Sequence, residues 1–433
     1  MANDVLTPDW KAAPLWLDEA PLIPADGPLP DRVDVAIVGS GYCGLTAART
    51  LARAGASVVV LEAGDPGAGA STRNHGHVGG AGKLPAGLEK LVGPERARWI
   101  REDAVAAARF LRELIRDERL DVDYVQRGRF LAAHSRAAYD GLVKKAESFR
   151  RDLGLTVHAV PRERQREEIG SDFYYGGITI EDGGALQPAK LHRAMRRLAE
   201  EAGALVRGRA AVRAIGREGS GFVLDTVRGA VCATDVIVAT NAYSGPLVPF
   251  IRRRIIPVTA YMMATEPMPE ALAREMLPKN RTGGDTKRAL YAFRRSPDGR
   301  RLVFAGRARF HDTDERTASG ILHGFMTGVW PQLRDVRISH CWKGFVAFTF
   351  DFLPHMGRHE GVHYAAGCQG AGVMLMTYLG HRMALKVLGR EDRPCGFDGG
   401  SFPTIPAYDG RPWFVPAVGG WYRLRDRIDR LLS

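Results

Sequence analysis

DVAIVGSGYCGLTAARTLARAGASVVVLEAGDPGAGASTRNHGHVGG, residues 34–80, is the stretch on which the reading of this chain turns. An unbroken apolar run at 33–38 suits a strand buried on both faces, and Gly39, Gly41 and Gly44 follow it at GxGxxG spacing. Gly39 permits a tight turn, Gly41 lets backbone approach a pyrophosphate, and Gly44 allows a helix starting near Tyr42 and Cys43 to pack on the strand. The N-terminus of that helix then faces phosphate charge. A second strand at 57–61 ends in Glu62 and Ala63, where a carboxylate can accept hydrogen bonds from both hydroxyls of an adenosine ribose and disfavours a 2′-phosphate. Strand, turn, helix, strand and terminal acid in one unit indicate dinucleotide binding, and an α/β fold with a Rossmann-type domain.

A chain of 433 residues with 45% apolar content is long for one simple domain, so two interleaved domains are expected. The segmentation reads as an arm at 1–32 and nucleotide-binding segments at 33–90, 151–245 and 331–433, the last ending in a helix. Between them, 91–150 and 246–330 read as the substrate domain, the second through β-like runs at 255–265, 289–294 and 301–308 that suit an antiparallel sheet. Helices are expected at 95–116, 136–153 and from Pro188 to the glycine at 203. Short strands at 204–206 and 211–215 would return to the first sheet, followed by a hairpin at 222–231 and a strand at 236–239. A second glycine-controlled unit lies near the end: a strand at 364–366, Gly367, Gly370 and Gly372 with Ala371 in the turn, and a helix from Val373 and Met374 onward. Its amides could face a partial negative charge.

No run approaches the length of a spanning helix and the first residues lack the pattern of a secretory signal, so the expected location is cytoplasmic. Five scattered cysteines without CxxC pairing fit neither a disulfide scaffold nor a zinc site, and the twelve histidines show no ligand spacing, so no metal is indicated. The net charge of +12 is carried mostly by dispersed arginines. It reads as a basic surface, and nucleic acid is not expected as a partner because no uninterrupted basic run or RNA-binding motif occurs. At the C-terminus, Trp421, Leu424, Ile428, Leu431 and Leu432 form an apolar stripe opposite Arg423, Arg427 and Arg430. The stripe suits docking on the protein's own body, with a peripheral membrane contact as the alternative.

From about residue 31 to the end, the chain resembles the FAD-dependent oxidoreductases of the D-amino-acid oxidase superfamily, on the branch with γ-glutamylputrescine oxidase and near the sarcosine and glycine oxidases. The resemblance rests on GSGYCG with Glu62, GAGASTRNHGHVGG, GALQPAKL, VIVATNAYSG, TEP at Thr265, SPDGRRLVFAGRA, the run from WKG to DFLPHMG, GCQGAGV and PWFVPAVGGWYRLRD, in the family's order. It implies a Rossmann-type FAD-binding domain with an interleaved, mainly antiparallel β-sheet substrate domain. It further implies oxidation of a C–N bond in a small amine or amino acid by hydride transfer to flavin N5, the imine then being hydrolysed. Oxygen, a quinone or an electron-transfer protein would accept the electrons. A tRNA-modifying flavoprotein and a membrane-peripheral amino-acid dehydrogenase are the competing readings.

By resemblance, Gly39, Gly41, Gly44 and Glu62 hold the ADP half, Ser71, Thr72, Arg73 and Asn74 run along pyrophosphate and flavin, and Val212 meets the adenine through its backbone. Gly344, Asp351, Gly370, Gly372 and Val373 match the surroundings of the isoalloxazine. His75 stands where related members carry a small residue; the expected FAD is noncovalent, with a histidyl link through His75 left open. Gly344 occupies the position of the sarcosine oxidase branch's flavin-linking cysteine, and Cys341 falls three residues early. That branch also keeps one lysine that assists reaction with oxygen and another near the flavin pyrimidine. The strand around 301–306 has no lysine, and Met374 replaces the second, which puts fast reaction with oxygen in question. For the substrate, Tyr261, Tyr291, Arg307, Trp342 and Lys343 fall in segments that the resemblance sets beside the ring. An arginine there suits a substrate carboxylate and the aromatics suit an amine.

Overall fold

The computed structural model describes residues 5–79, 84–85 and 87–433; Gly80, which closes the stretch quoted above, and the first four residues of the arm lie outside the described residues. Strand Arg32–Val38, helix Tyr42–Arg53 and strand Val58–Leu61 form as their sequence dictates. Continuous apolar side chains bury both faces of the two strands, and the helix turns its apolar side onto them. They belong to an eight-stranded sheet in the order Val212–Glu218, Gly221–Thr226, Gly229–Val238, Arg32–Val38, Val58–Leu61 and Leu205–Arg207, with Val362–Ala366 and then His355–His359 beside Gly229–Val238. Strand Leu205–Arg207 pairs with Val58–Leu61 as expected; strand Val212–Glu218 joins through an antiparallel meander, not the parallel core.

The parallel part fixes the site. Val38 is level with Leu61 on one side and Val238 on the other, and Val238 is level with Tyr364. The turns at Gly39, Glu62, Ala239 and Gly367 therefore leave the sheet along one carboxyl edge. Strand order runs outward in both directions from Arg32–Val38, which makes this edge a topological switch point, where open α/β sheets form their ligand crevices.

A nine-stranded sheet makes the second layer, ordered Leu6–Lys11, Ile338–Phe348, Ile256–Thr265, Leu302–Gly306, Ala292–Arg295, Thr282–Asp285, Arg129–Ala132, Gly177–Ile180 and Val157–Val160. Its pairings are antiparallel except at the Leu6–Lys11 edge and between Thr282–Asp285 and Arg129–Ala132. This mixed architecture is the expected one, but its segment limits need correcting. Strands Val157–Val160 and Gly177–Ile180 fall within the expected nucleotide-binding segment 151–245, and Ile338–Phe348 within 331–433, yet all three pair in the substrate sheet. Helix Pro94–Asp117, expected in the substrate domain, buries Ile100, Ala107 and Leu111 in the core of the nucleotide-binding layer. The arm contributes a strand and the fully buried Trp16. Each difference arises from pairing between residues far apart in the chain, which local composition does not encode.

Helix Glu315–Val329 also went unread in the sequence. It starts at an Asp314 cap, buries Ala318, Leu322 and Met326 at intervals of four, and leaves Gly320, Gly324 and Gly328 facing open space.

Candidate active site

Two helix N-termini without side-chain caps open at the carboxyl edge. The first follows Gly39, whose φ of +103° is a conformation that glycine adopts without penalty. A Cβ built at Gly44 would run into the carbonyl oxygen of Gly39, so only glycine lets this helix lie so close to its strand. At Gly41 an added Cβ meets only Ser71 Oγ, at 3.2 Å, which leaves the turn open on its outer side. The second helix, Gly372–Val387, follows Gly367 and Gly370, with φ of +83° and +84°. It crosses the first where Gly380 abuts the Cys43 carbonyl oxygen, and Val373 and Met374 bury their side chains in the core, so their backbone alone can face the crevice. The buried Cys43 thiol is pushed up to about 12 by desolvation and is no nucleophile at neutral pH.

Side chains hold this backbone in place. Glu62 accepts from Ser40 N at 2.9 Å and Ser40 Oγ at 2.7 Å, and its other oxygen accepts from Gly64 N at 3.2 Å. Ala63, beside it, is exposed, and Ala210 N donates to Glu62 O at 2.8 Å, which brings the start of the Val212 strand next to the acid. Tyr42 Oη donates to Ser71 O at 2.6 Å, and Ser71 Oγ accepts from Tyr42 N at 3.1 Å. Thr72 Oγ1 donates to Gly67 O at 2.6 Å, and Asn74 Oδ1 accepts from Gly76 N at 2.8 Å. Asp351 accepts from Thr349 Oγ1, Leu353 N and His355 Nε2 at 2.9 to 3.1 Å; it organises its own loop. Sequence reasoning missed His192, whose Nε2 donates to Ser40 O at 2.8 Å and so fixes the glycine turn from the Pro188–Glu201 helix.

The substrate sheet meets this assembly with one face. Trp342 Nε1 donates to Arg73 O at 3.0 Å, and a Cβ at Gly344 would lie 3.4 Å from Arg73 Cβ. Arg294 donates to His75 O at 3.1 Å and Leu186 O at 2.7 Å, and its guanidinium sits 5.5 Å from the Trp16 ring. Met262, Val303 and Ala305 complete the face around the fully buried Trp342. Arg307, two residues beyond Ala305, lies 5.5 Å from the Phe348 ring and donates to Thr259 O at 3.2 Å. Burial brings its guanidinium down to about 10, and no carboxylate lies within ion-pair distance among the described residues. The sequence offered one unused signal for Arg294: in the run from Tyr291 to Arg294, alternation sets the arginine opposite the aromatics.

Three expected substrate residues do not share the face turned to Arg73. Tyr261, Tyr291 and Lys343 lie on the opposite face, toward helix Glu315–Val329. Tyr261 is fully buried beside Phe304 and Leu322, and its Oη accepts from Thr313 N at 2.9 Å. Tyr291 stacks on Phe325 with ring centroids 5.2 Å apart. Lys343 pairs with Asp312 at 2.8 Å and is level with Tyr261 across the strand pair. Successive strand residues point to opposite faces, so Trp342 and Lys343 cannot both face Arg73.

The residues fit a flavin dinucleotide. Beyond the two open helix ends, two buried polar atoms in these segments, His75 Nε2 and Gln369 Oε1, have no hydrogen-bond partner among the described residues. Gln369 spends its amide nitrogen on Thr349 Oγ1 at 2.7 Å. Tyr243 and Phe345, packed edge to face at 5.4 Å and both exposed, add apolar surface beside Gly69, next to the Arg73 segment. His75 is pulled down to about 3 by burial and by the nearby guanidiniums of Arg294 and Arg129, so its imidazole is neutral.

Switch-point edge, glycine turn, terminal acid and an antiparallel sheet packed on the Arg73 segment together are the parts of a two-layer nucleotide-binding protein. Residues 34–385 match the family of FAD-dependent oxidoreductases abbreviated DAO, and the chain belongs to that family. It is 32% identical to gamma-glutamylputrescine oxidoreductase of Escherichia coli over 91% of this chain and 93% of that one. It is 30% identical to the probable oxidoreductase OrdL of Rhizobium meliloti, over 98% and 99% of the two chains. Among solved structures, glycine oxidase from Geobacillus kaustophilus superposes with a TM-score of 0.73 at 23% identity, covering 87% of this chain and 99% of that one. Among the described residues, no helix is long and apolar enough to cross a membrane.

Proposed function

We propose that this protein oxidises a C–N bond of a small amine or amino acid that carries a carboxylate, with FAD held noncovalently. The observation that carries the substrate class is Arg307, a largely buried guanidinium on the sheet face turned to Arg73, with one carbonyl partner and no acid among the described residues. A carboxylate would give it two charge-assisted hydrogen bonds. Glycine, named for two of the relatives, combines an amine with a carboxylate, as does a γ-glutamylated diamine.

FAD, when bound, supplies the hydride acceptor. The chain does the rest. Amides at Gly41 and Cys43 would meet the pyrophosphate, Glu62 the ribose hydroxyls and Val212 the adenine, while the amides of Gly370, Gly372 and Val373 would face the ring's electron-rich edge. Gly344 leaves no thiol at the position that matches the sarcosine oxidase branch's flavin-linking cysteine, and His75 Nε2, without a partner among the described residues, would serve as a neutral hydrogen-bonding group. Buried Arg294 and half-buried Arg307, on one face, disfavour an ammonium group, so the amine is held as the free base that oxidation requires. Met262, Val303 and Ala305 pack with Trp16, Ala189 and Trp342, which closes that part of the face to water.

The test is an anaerobic screen of amines that follows bleaching of flavin absorbance near about 450 nm, then its return with oxygen, a quinone or a dye. Carboxylate-bearing amines should bleach the protein and their decarboxylated analogues should not. Protein purified without flavin, or bleached equally well by both sets, would refute the proposal. Acid precipitation should release the flavin into the supernatant; colour retained in the pellet would show a covalent bond.

A further inference from the structure

The C-terminal helix Val415–Leu431 is docked with its faces reversed. Amphipathic helices normally bury the apolar side. Here the polar side faces the body: Asp426 accepts from Arg288 N at 3.1 Å, Arg288 Nη1 at 3.0 Å and Ala289 N at 3.0 Å, and Asp429 pairs with Arg288 at 2.7 Å. His134 Nε2 lies 3.9 Å from Asp429, behind this clamp. Arg423 donates to the carbonyls of Arg307 and Ala308 at 2.9 and 2.7 Å, Arg430 lies 3.7 Å from the Phe173 ring, and Gly419 rests on Phe310. The expected docking of the apolar stripe on the protein's own body is therefore overturned. Trp421, Leu424, Leu431 and Leu432 are 57%, 49%, 85% and 83% exposed, Ile428 is half-buried, and Trp413, just before the helix, is 71% exposed.

We infer that this stripe is a docking surface for an anionic lipid bilayer. Its spacing at 421, 424, 428 and 431 keeps it on one side of the helix, with Arg425 on one flank and the exposed Arg427 on the other. That is the arrangement of a helix lying in the plane of a membrane, with leucines in the acyl boundary, tryptophans at headgroup depth and arginines on the lipid phosphates. A second copy of the chain fits less well, because pairing two stripes would bring the flanking arginines of two chains of net charge +12 together. An anionic surface turns the same charges into attraction. The helix sits over the backbone of Arg307, so docking would set that end of the substrate sheet against the lipid.

The test uses the full chain and vesicles of phosphatidylcholine with or without about 30% phosphatidylglycerol. The protein should sediment with the anionic vesicles, stay free with the neutral ones, and be released as salt rises to about 0.5 M. The double variant Trp421→Ser/Leu424→Ser should lower the bound fraction at least about fivefold while its far-UV circular dichroism melt stays unchanged. Equal behaviour with both vesicle types, or no effect of the double variant, would overturn the inference. So would a dimer in light scattering that the variant dissociates, with no vesicle binding, since the stripe would then cover a second copy. None of these readouts depends on turnover, so the assignment of the reaction stands or falls separately.

Discussion

The glycine turn at residues 39–44 and the sheet face bearing Arg307 are specified in different ways. The turn works through backbone: Gly39 needs a positive φ, Gly44 needs the absence of a Cβ, and the residues that hold it lie mostly within one βαβ unit. The sheet face works through side chains of strands that are remote in sequence, with Arg294, Arg307 and Trp342 brought onto one side by pairing register alone. A backbone device tolerates almost no substitution. A side-chain device can be dismantled one interaction at a time.

The largest effect should therefore come from the turn. Gly44→Val has to displace the Gly39 carbonyl and should abolish soluble folded protein. Gly41→Val meets only a serine hydroxyl, so it should fold yet fail to let a pyrophosphate approach, with flavin content down at least about tenfold at an unchanged apo-protein melt. Full flavin occupancy in Gly41→Val would remove the turn from the cofactor site. On the other side of the crevice, Arg307→Ala should lower kcat/KM for carboxylate-bearing amines by about 10- to 100-fold, the range for losing a charged hydrogen-bonding partner. Flavin content should not change. A loss of flavin alongside the loss of rate would make Arg307 a structural residue.

The same contrast explains what could be read in the sequence. The turn, Glu62, the Tyr42–Arg53 helix and the second glycine unit were legible because each is local: spacing, periodicity and a terminal acid lie within a few dozen residues. The substrate face was not. Which of two alternating sets in a strand faces Arg73 depends on register with strands remote in the chain, so the resemblance sets Tyr261, Tyr291 and Lys343 beside the ring whereas pairing puts them on the face opposite Arg73. Arg294 was overlooked for the same reason, and helix Glu315–Val329 because three glycines on its outer side mask the spacing of Ala318, Leu322 and Met326. At the C-terminus the stripe was legible but its direction was not, since the clamp that turns it outward is made by Arg288, far away in the chain.

His75 joins the two regions, and its burial makes a smaller prediction. In the folded chain its imidazole takes a proton only near about 3, against an ordinary value of 6.5. Below pH 6.5 the unfolded chain thus binds a proton that the folded chain refuses, and stability falls as pH drops through that window toward about 3. His75 alone should make the protein about 1.4 kcal/mol less stable at about pH 5.5 than at about pH 7.5, measured by chemical denaturation. His75→Gln should remove that share of the slope. An unchanged slope would mean that the ring is hydrated in solution and that its unpaired Nε2 is not waiting for a ligand.

The smallest effect is the most discriminating for the two faces of the sheet. Lys343 sits next to Trp342 in sequence but on the other side of the strand, in an ion pair with Asp312, whose side chain is 70% exposed. Such a pair contributes about 0–1 kcal/mol because water and salt screen it. Lys343→Ala should therefore change kcat/KM by less than about threefold, whereas a lysine facing the ring would, on removal, cost at least tenfold in substrate oxidation or in reoxidation. Trp342→Phe provides the matched control from the neighbouring position, because it deletes the indole N–H that holds the Arg73 carbonyl and should loosen flavin binding. If the lysine variant lost activity and the tryptophan variant kept its flavin, the two faces would have to be exchanged, and Arg307 would lose its place beside the substrate along with Trp342.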